Sequence, residues 1–599
     1  MSIDDCYHSV IKKLTDEDKI IPTSQKLSNL TKNYERVLYV YEILGSLNTF
    51  PNVLEVSKSV DLSTKYRNLG NKHYQQRDNY TALQYYNLSL LYAPPESEAY
   101  SLSIANRSAV LFTLKANKEC IKDIELVFRL KFPEKLRNKL NNRKEMCQKH
   151  LPLKKVTQKQ YENDQFIKFL TPGANNDSRY VCASVKLEVV FSKEMGRHVV
   201  AKEDIKVGEI LAQEEPYFVL LLKSQYLLCC SYCLSRDLNL IPCHSCCFAL
   251  FCSEQCKKKA WVDYHGVECS LMATLIHMEF TKLEWLGLRT VIRARNDHTD
   301  WKSLFQTIKK AEENADTEFR GHVKIDGKWI YDSKYYTSIH MLASNVEKRS
   351  VSDIFQKSVT AAVFLKLLEK TNFLKGDNED NDEIIKCVAG MLLHHIMTSP
   401  TNMHGISSIK QNSMGNYVDD TSIASASYAF HSLINHSCAP NVVRFNKLGT
   451  GQMTLFALRP IKKGMQIFDN YGSHHAMENF TSRQSSLKFQ YKFTCLCEAC
   501  VNKWPMYFNL QPARRLPPHI NSKKSLLRLN NIENLQKGDV KTACKLFEPL
   551  CDFAGLLEPY CPCLELADCQ ETLKQCLQIF GGLIPYFVDV EWSVIPEST

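Results

Sequence analysis

Seven of the eight cysteines between residues 230 and 269, together with His265, restrict the structure of this chain more than any other feature. They form four closely spaced pairs: Cys230 and Cys233, Cys243 and Cys246, Cys252 and Cys256, His265 and Cys269. The x2 pairs place two thiolates on a tight turn, and the i,i+4 pairs place both ligands on one helical face. Eight such ligands fill two closed tetrahedral zinc sites of the structural kind. The alternative is a chance cluster of reduced cysteines. Cys229 and Cys247 break the spacing, so we predict that they bind no metal.

A second group of cysteines has the spacing C-x-C-x2-C and consists of Cys495, Cys497 and Cys500. Three thiolates need a fourth ligand to complete a tetrahedral zinc site. Cys438 is the natural candidate, in the segment S-L-I-N-H-S-C-A-P-N at 432–441, where Pro440 prevents a regular helix or ladder. In the same segment Asn435 and His436 follow an apolar pair, so their burial requires hydrogen-bond partners. Taken alone, the segment would be a tight turn with satisfied polar groups.

Three motifs together resemble the signature of the SET-domain lysine methyltransferases that have a post-SET zinc site. They are N-H-S-C-x-P-N at 435–441, D-N-Y-G at 469–472 and C-x-C-x2-C at 495–500. The cysteine block at 230–269 narrows the resemblance to the SET and MYND domain proteins. Helical repeats ahead of these motifs make the chain most similar to the fourth, TPR-bearing type, from about Lys65 onward.

The resemblance implies an α+β, multidomain fold. A SET-type β fold would be interrupted by a MYND zinc finger and a helical insertion, and flanked by N- and C-terminal TPR-like α-helical domains. The predicted boundaries are an N-terminal helical segment (1–64), TPR-like repeats (65–150), the SET N-terminal part (180–228), the MYND finger (229–270), the helical insertion (271–400), the SET core C-terminal part (401–472), the post-SET zinc segment (473–505) and the C-terminal helical domain (506–599).

The resemblance also implies how the metal ligands pair. Two zinc ions would be held by interleaved finger pairs, one by Cys230, Cys233, Cys252 and Cys256, the other by Cys243, Cys246, His265 and Cys269. Cys438, Cys495, Cys497 and Cys500 would hold a third ion. Lys257–Lys259 form a small basic face, for which a solvated helix surface is favoured over contact with DNA.

The resemblance assigns the cofactor S-adenosylmethionine to a set of residues spread along the chain. They are Gly196, Arg197, His198, Asn402, Asn435, His436, Tyr471 and Phe493, with Tyr491 bordering the lysine channel. The family has Gly-Arg-Gly where this chain has Gly196–His198, a departure that matters only if His198 needs a positive φ. Read alone, the same stretch is a plain β-turn, and Phe493 is equally well a core residue.

Methyl transfer from a sulfonium to a lysine is an in-line displacement, so much of the catalysis comes from holding the reacting groups in line. The lysine amine has an ordinary pKa near 10.4, and a narrow channel must favour its neutral form by desolvation. Tyr471 is the predicted catalytic residue, because a phenol donates or accepts a hydrogen bond without carrying charge. The implied substrate is a lysine of a histone or non-histone protein, within transcriptional regulation.

Regular elements are predicted from periodicity. One TPR repeat is predicted from the spacing of six residues: Tyr66, Leu69, Gly70, Ala82, Tyr86 and Pro94. Strands are predicted at 442–445, 453–457 and 466–470, and a short helix with Arg483 at 472–487. Helices are predicted at 280–292, 301–315 and 359–373, and a surface loop at 376–383. Near the C-terminus, Cys569 and Cys576 have the spacing of core residues.

Composition limits the class of protein, its partners and its compartment. The chain has 599 residues, of which 44% are hydrophobic and 23% charged, as in ordinary globular proteins. A net charge of +10 at this length does not require nucleic acid or a membrane as a partner. No signal peptide is evident, and apolar runs such as 217–222 are too short to span a bilayer. We therefore expect a protein of the cytoplasm and nucleus, with its 24 cysteines as thiols or metal ligands.

Two classes of function follow. The first is a protein-lysine methyltransferase whose MYND and TPR modules recruit protein partners. The second is a catalytically weak or inactive SET, MYND and TPR scaffold, or a chaperone-linked adaptor. Arg67, Asn71 and Asn106 resemble the family's clamp for the C-terminal carboxylate of a chaperone tail, although polar residues are common on such a face. The methyltransferase class is favoured by the presence of Asn435, His436, Tyr471 and the four post-SET cysteines.

Overall fold

A computed structural model describes residues 2–151, 176–376 and 380–593, and it confirms the predicted α+β, multidomain class. Helices form both ends of the chain. Small β-sheets form its middle, interrupted by the cysteine-rich finger and a helical insertion. One apolar core joins the N-terminal helices, the sheets, the finger and the insertion, and the C-terminal helices enclose a second core. The site described below therefore lies in a continuous folded body.

Three helices at the N-terminus belong to the main core: α1 (Ile3–Asp16), α2 (Ile20–Asn29) and α3 (Asn33–Ser46). The helix α3 buries Val37 and Leu44. It packs against two helices of the insertion, Val351–Leu368 and Asn381–Asn402. The N-terminal segment thus completes the helical insertion, although more than 300 residues separate the partners.

Five helices follow in the predicted repeat region: α4 (Val60–Gln75), α5 (Asn79–Tyr92), α6 (Glu98–Thr113), α7 (Asn117–Phe128) and α8 (Arg137–Lys149). Successive helices pack on each other as hairpins. A Cβ at Gly70 would lie 2.6 Å from the Tyr86 ring, so glycine is what allows α4 and α5 to approach so closely. This is the contact that the repeat spacing predicted.

A buried ion pair joins the repeats to the finger. The guanidinium of Arg107 binds both carboxylate oxygens of Asp123 at 2.8 Å and donates to the carbonyl oxygen of Leu240 in the finger at 2.6 Å. The amide of Asn239 donates to the same Asp123 carboxylate at 2.8 Å. Both charged side chains are almost fully buried. Because buried charges must keep their partners, this contact fixes the repeats on the finger.

We expect Asp123→Leu to destabilise the repeats by about 3–5 kcal/mol, because the Arg107 charge would stay buried without its partner. Hydrogen exchange in α6 measures the local loss. The matched control is Glu125→Leu, which breaks a more exposed pair with Lys144 and should cost less than about 1 kcal/mol. Equal protection in the two variants would contradict the structural role of the buried pair.

The middle of the chain contains fourteen short strands in the described residues. They are β1 (Leu187–Ser192), β2 (Gly196–Ala201), β3 (Ile210–Glu214), β4 (Val219–Leu221), β5 (Ile241–Pro242), β6 (Leu250–Phe251), β7 (Val323–Ile325), β8 (Lys328–Ile330), β9 (Met403–Gln411), β10 (Tyr417–Ser427), β11 (Asn435–His436), β12 (Val442–Asn446), β13 (Met453–Ala457) and β14 (Phe468–Asp469). Two three-stranded sheets, β4-β10-β9 and β12-β13-β3, pair strands from before and after the finger and insertion. The two halves of the β fold therefore assemble across about 180 intervening residues.

The finger and the insertion contain seven named helices: α9 (Glu254–Ala260), α10 (Met272–His277), α11 (Lys282–Asn296), α12 (Trp301–Glu313), α13 (Tyr336–His340), α14 (Val351–Leu368) and α15 (Asn381–Asn402). A π-helical turn, Trp261–His265, extends α9 to the short turn Gly266–Glu268. The predicted helix at 359–373 is placed too late, because Ser350 caps α14 by accepting from the Asp353 amide. The predicted loop at 376–383 lies partly outside the described residues.

After the sheets come α16 (Phe480–Tyr491), α17 (Glu498–Val501), α18 (Pro518–Asn521), α19 (Leu529–Gln536), α20 (Val540–Leu557) and α21 (Leu564–Gly581). The prediction of a helix from Gly472 was wrong. Gly472 has a φ of +118°, and Asn479 caps α16 by accepting from the Ser482 amide. Cys569 and Cys576 are fully buried in the second core, as their spacing predicted.

The last described segment returns to the start of the chain. The side-chain amide of Gln84 in α5 donates to the carbonyl oxygen of Val588 at 2.8 Å, and Trp592 stacks near Phe248 of the finger. Across the described ranges, no helix is both long enough and apolar enough to cross a membrane.

Candidate active site and metal centres

Two four-ligand clusters form inside the finger, with the ligand sets that the resemblance implied. One brings together Cys230, Cys233, Cys252 and Cys256, and the other brings together Cys243, Cys246, His265 and Cys269. Neighbouring ligand atoms lie 3.5–3.7 Å apart, including 3.6 Å between Cys246 Sγ and His265 Nε2. Ligands at about 2.3 Å from a tetrahedral zinc ion lie about 3.8 Å apart. The donor atoms therefore fit two zinc ions, and Cys229 and Cys247 lie outside both clusters.

The third cluster joins Cys438 to Cys495, Cys497 and Cys500. The Sγ atom of Cys438 lies 4.0 Å from that of Cys495 and 3.5 Å from that of Cys500. Arg483 of α16 is fully buried beside it and donates to Cys500 Sγ at 3.8 Å. A buried cation beside thiolates offsets part of their charge, as expected for a group that supports metal ligands. This cluster fits a third zinc ion.

The segment before Cys438 forms β11, which pairs in parallel with β14. Burial lowers the pKa of His436 to about 4, so the ring is neutral at physiological pH. Its Nδ1 accepts from the backbone N–H of Tyr471 at 3.0 Å. The ring proton must then reside on Nε2, which faces Cys438 Sγ at 3.4 Å. His436 thus links the D-N-Y-G motif to the zinc cluster.

Tyr471 is held on several sides. Its hydroxyl donates to the carbonyl oxygen of Ile434 at 2.7 Å, which leaves the oxygen lone pairs as acceptors. Its ring centroid lies 5.2 Å from that of His436 and 4.8 Å from that of Tyr491, whose hydroxyl donates to the Tyr471 carbonyl. Phe493 packs on the other side of His436, at 6.1 Å. Burial raises the pKa of Tyr471, so the phenol stays neutral.

The Gly196–His198 stretch lies at the start of β2 and reaches this group through Asn435. The side-chain amide of Asn435 donates to the carbonyl oxygen of Met195 at 3.2 Å. Gly196 has a φ of +66° and open space where a Cβ would stand. His198 is extended strand without a positive φ, so replacing the family's second glycine strains no backbone.

Two predicted residues use their side chains elsewhere. The guanidinium of Arg197 donates to the carbonyl oxygens of Arg320 and Met341, at 2.8 and 3.0 Å, in the helical insertion. The amide of Asn402 donates to the carbonyl oxygen of Ala343 at 2.7 Å. Both residues therefore anchor the segment around 341–343. The Asn402 carbonyl itself accepts from Ser432 at 2.9 Å, next to the Asn435 turn.

Sequence reasoning missed the buried carboxylate that supports the Asn435 turn. Glu214, in β3, binds the ring of His431 at 2.6 Å and accepts from the backbone amides of Phe430 and His431. The hydroxyl of Ser333 donates to it at 2.6 Å. These bonds, above all those with His431, hold the pKa of Glu214 below its ordinary value against the effect of burial. An acidic residue inside a strand gives no sequence signal for such a role.

A second missed pair holds the D-N-Y-G motif. Arg444 of β12 binds the buried carboxylate of Asp469 at 2.6 Å and donates to the carbonyl oxygen of Asn470 at 3.2 Å. The amide of Asn470 in turn donates to Ser437 at 3.1 Å. The motif is therefore tied to both β12 and the segment that precedes Cys438. The aspartate of D-N-Y-G was visible in the sequence, but its arginine partner 25 residues earlier was not.

The residues assigned to S-adenosylmethionine form one connected group. Contacts run from Met195 through Asn435 to Tyr471, His436 and Phe493, and from Asn402 through Ser432 to the same turn. They offer backbone carbonyls, amides, a neutral imidazole and aromatic faces, the donor set that an amino acid joined to a nucleoside requires. The residues present fit this cofactor.

Beside the group lies a cleft of about 610 Å³ between the β core and the C-terminal helices. Asn470 and His474 form its inner wall, next to Tyr471, and α21 forms its outer wall. Charged side chains of both signs line it: Asp420, Asp469, Asp568, Glu571, Arg444, Arg459 and Lys574. A mixed polar and apolar lining suits a peptide segment better than a purely apolar ligand.

Comparisons with known proteins point to one family. The family model described as SET domain matches residues 196–472. Protein-lysine N-methyltransferase SMYD4 of Danio rerio is 26% identical over 525 residues, which cover 78% of this chain and 69% of the relative. The protein of the same name from Homo sapiens is 25% identical and covers 74% and 67%. N-lysine methyltransferase SMYD2 of Homo sapiens is 24% identical over 53% of this chain and 60% of its own length.

Proposed function

Because this chain belongs to the SET and MYND domain family, we propose that it transfers a methyl group from S-adenosylmethionine to a lysine side chain of another protein. One observation carries the proposal. Three distant segments, at 195–196, 434–436 and 471, meet through hydrogen bonds from Asn435 and Tyr471. A scaffold without catalysis would not require a neutral phenol, a neutral imidazole and an open glycine turn to meet at one point.

In this proposal the bound cofactor supplies an electrophilic methyl group on a sulfonium. Gly196, Asn435 and His436 hold it, and Phe493 closes one side. The protein substrate would occupy the cleft beside Asn470, from which its lysine would approach Tyr471. Buried aromatic rings exclude water there and favour the neutral amine, which is the nucleophilic form. The lone pairs of the Tyr471 hydroxyl then orient the amine for in-line attack.

We expect the full-length protein to bind S-adenosylmethionine with micromolar affinity and to methylate proteins in an extract supplied with labelled cofactor. His436→Ala should weaken cofactor binding, because the variant loses the acceptor for the Tyr471 amide. Calorimetry measures cofactor affinity in the wild-type protein and the variants. Incorporation of label into protein measures methylation. The control is His519→Ala, which removes an exposed histidine of the C-terminal helices. A wild-type protein that binds cofactor without methylating any protein would favour the scaffold.

We also propose that the finger and repeats recruit protein partners while contributing no group to methyl transfer. Support comes from the closed ligand sets of the finger and from Trp261 and Val262, which are exposed on its π-helical turn. The carboxylate clamp stays a proposal: the side-chain oxygen of Asn71 accepts from both Tyr86 and Asn106. A peptide carboxylate would therefore depend on the remaining amide protons and on Arg67.

We propose that the protein works in the cytoplasm and nucleus. The support is chemical: its 24 cysteines are all free of disulfides, and twelve metal-binding positions include eleven of them. Thiolates of this kind persist in reducing compartments.

A further inference from the structure

Three histidines that play no part in the proposed reaction form a cluster inside the helical insertion. His340 ends α13, and His394 and His395 are neighbours on α15. One ligand nitrogen from each ring lies within 4.8 Å of the corresponding nitrogens of the other two. His340 and His395 are buried, and His394 is partly buried.

Each ring uses one nitrogen in a hydrogen bond. The hydroxyl of Tyr336 lies 3.1 Å from His340 Nδ1 and 2.9 Å from His395 Nε2, and its two lone pairs can accept from both rings. His394 Nε2 donates to the carbonyl oxygen of His340 at 2.8 Å. Metal-binding histidines are oriented in this manner by bonds from the opposite nitrogen.

Two of the remaining nitrogens have no close hydrogen-bond partner. His395 is fully buried, and its Nδ1 has none. Leaving such an atom unsatisfied costs about 1–3 kcal/mol. His340 Nε2 faces only the carboxylate of Glu312, at 3.7 Å, at the end of α12.

We propose that His340, His394 and His395 bind a divalent transition metal of the zinc type, with Glu312 as the fourth ligand. Three imidazoles and a carboxylate form a closed tetrahedral set for zinc, with bonds of about 2.0–2.2 Å. The side chain of Glu312 is largely exposed and can turn inward, and one nitrogen of each ring already lies within 4.8 Å of the others. The site is separate from the three cysteine clusters.

The site would fasten three helices beside the cofactor residues. The residue after His340 is Met341, whose carbonyl accepts from Arg197, and Ala343 accepts from Asn402. Asn402 ends α15, the helix that carries His394 and His395. A metal ion that joins α13 to α15 therefore stiffens the segment that holds both residues. Its existence does not depend on the proposed methyl transfer.

The test is a cobalt titration of the full-length protein after mild chelation that leaves the cysteine sites loaded. We expect one further equivalent of Co²⁺ with visible d–d bands and no added thiolate-to-cobalt charge-transfer band. His394→Ala should lower the affinity for this further Co²⁺ ion by at least about a hundredfold, and Glu312→Gln should lower it by about tenfold. The His394→Cys variant should again bind the further Co²⁺ ion, now with a thiolate-to-cobalt charge-transfer band. That band appears only if the side chain at position 394 binds the metal directly.

The matched control is His322→Ala. His322 is also buried and both its ring nitrogens lack partners, but it lies outside the cluster. This variant should bind the further equivalent normally. If His394→Ala fails to fold, Glu312→Gln, altered at an exposed side chain, decides the question. A protein that takes up no further equivalent, or one whose uptake is unchanged in Glu312→Gln and His394→Ala, would overturn the proposal.

Discussion

Replacing Tyr471 by phenylalanine should lower kcat about a hundredfold or more while cofactor affinity changes little. The substitution removes one hydroxyl and keeps the ring contacts with His436 and Tyr491. Loss of a single positioned polar group from an active site typically costs this much. The effect belongs to kcat because the oxygen lone pairs align amine and methyl most strongly in the transition state. Single-turnover kinetics on a protein that the enzyme methylates separates the methyl-transfer step from binding.

The structural cost of the same change is small. The hydroxyl bond to the Ile434 carbonyl is lost, which removes about 1 kcal/mol. Tyr491→Phe is the matched control, because its hydroxyl also donates to a single backbone carbonyl, that of Tyr471. Its kcat should fall far less. A Tyr471→Phe enzyme that turns over at the wild-type rate on its true substrate would remove the hydroxyl from the mechanism.

Sequence was sufficient for features that local spacing determines. The cysteine and histidine spacings indicated which side chains could bind zinc, because turns and helical faces fix which neighbours converge, and the family resemblance implied how those ligands pair. Strand β13 was predicted with its observed bounds and β12 within one residue, since alternation is a local property. Errors arose where a cap decides the start of a helix, as at Asn479 and Ser350.

Contacts between distant segments were invisible for a different reason. Glu214 and His431 are ordinary residues in their own neighbourhoods, and only the fold brings them to 2.6 Å across 217 positions. The same holds for Val37 and Leu44, whose partners lie in helices more than 300 residues away. His340 lies 54 positions from His394, so no motif search would pair them. Periodicity shows that a face is apolar, but it does not show what covers that face.

Replacing Cys438 by serine should remove one zinc ion and the cofactor site together. Cys438 supplies one of four ligands in the cluster that joins the 435–441 segment to Cys495, Cys497 and Cys500. Structural zinc binding is worth about 10–16 kcal/mol, so one ligand of four accounts for about 3 kcal/mol, or about a hundredfold in affinity. Protein treated with a mild chelator should retain two cysteine-bound zinc ions instead of three, as measured by elemental analysis.

Cofactor binding should be lost together with the zinc ion, because His436 connects the cofactor site to the zinc cluster. Its Nδ1 holds the Tyr471 amide, while its Nε2 faces the Cys438 sulfur. Without zinc, α16 and the 493–500 segment lose their metal link to the turn, and Arg483 is left buried beside unligated thiols. The control is Cys569→Ser, an equally buried cysteine that bonds only to the Leu550 carbonyl and should leave three zinc ions and cofactor affinity intact. Three zinc ions retained in Cys438→Ser would exclude Cys438 as the fourth ligand, and normal cofactor binding with two would separate the metal from the active site.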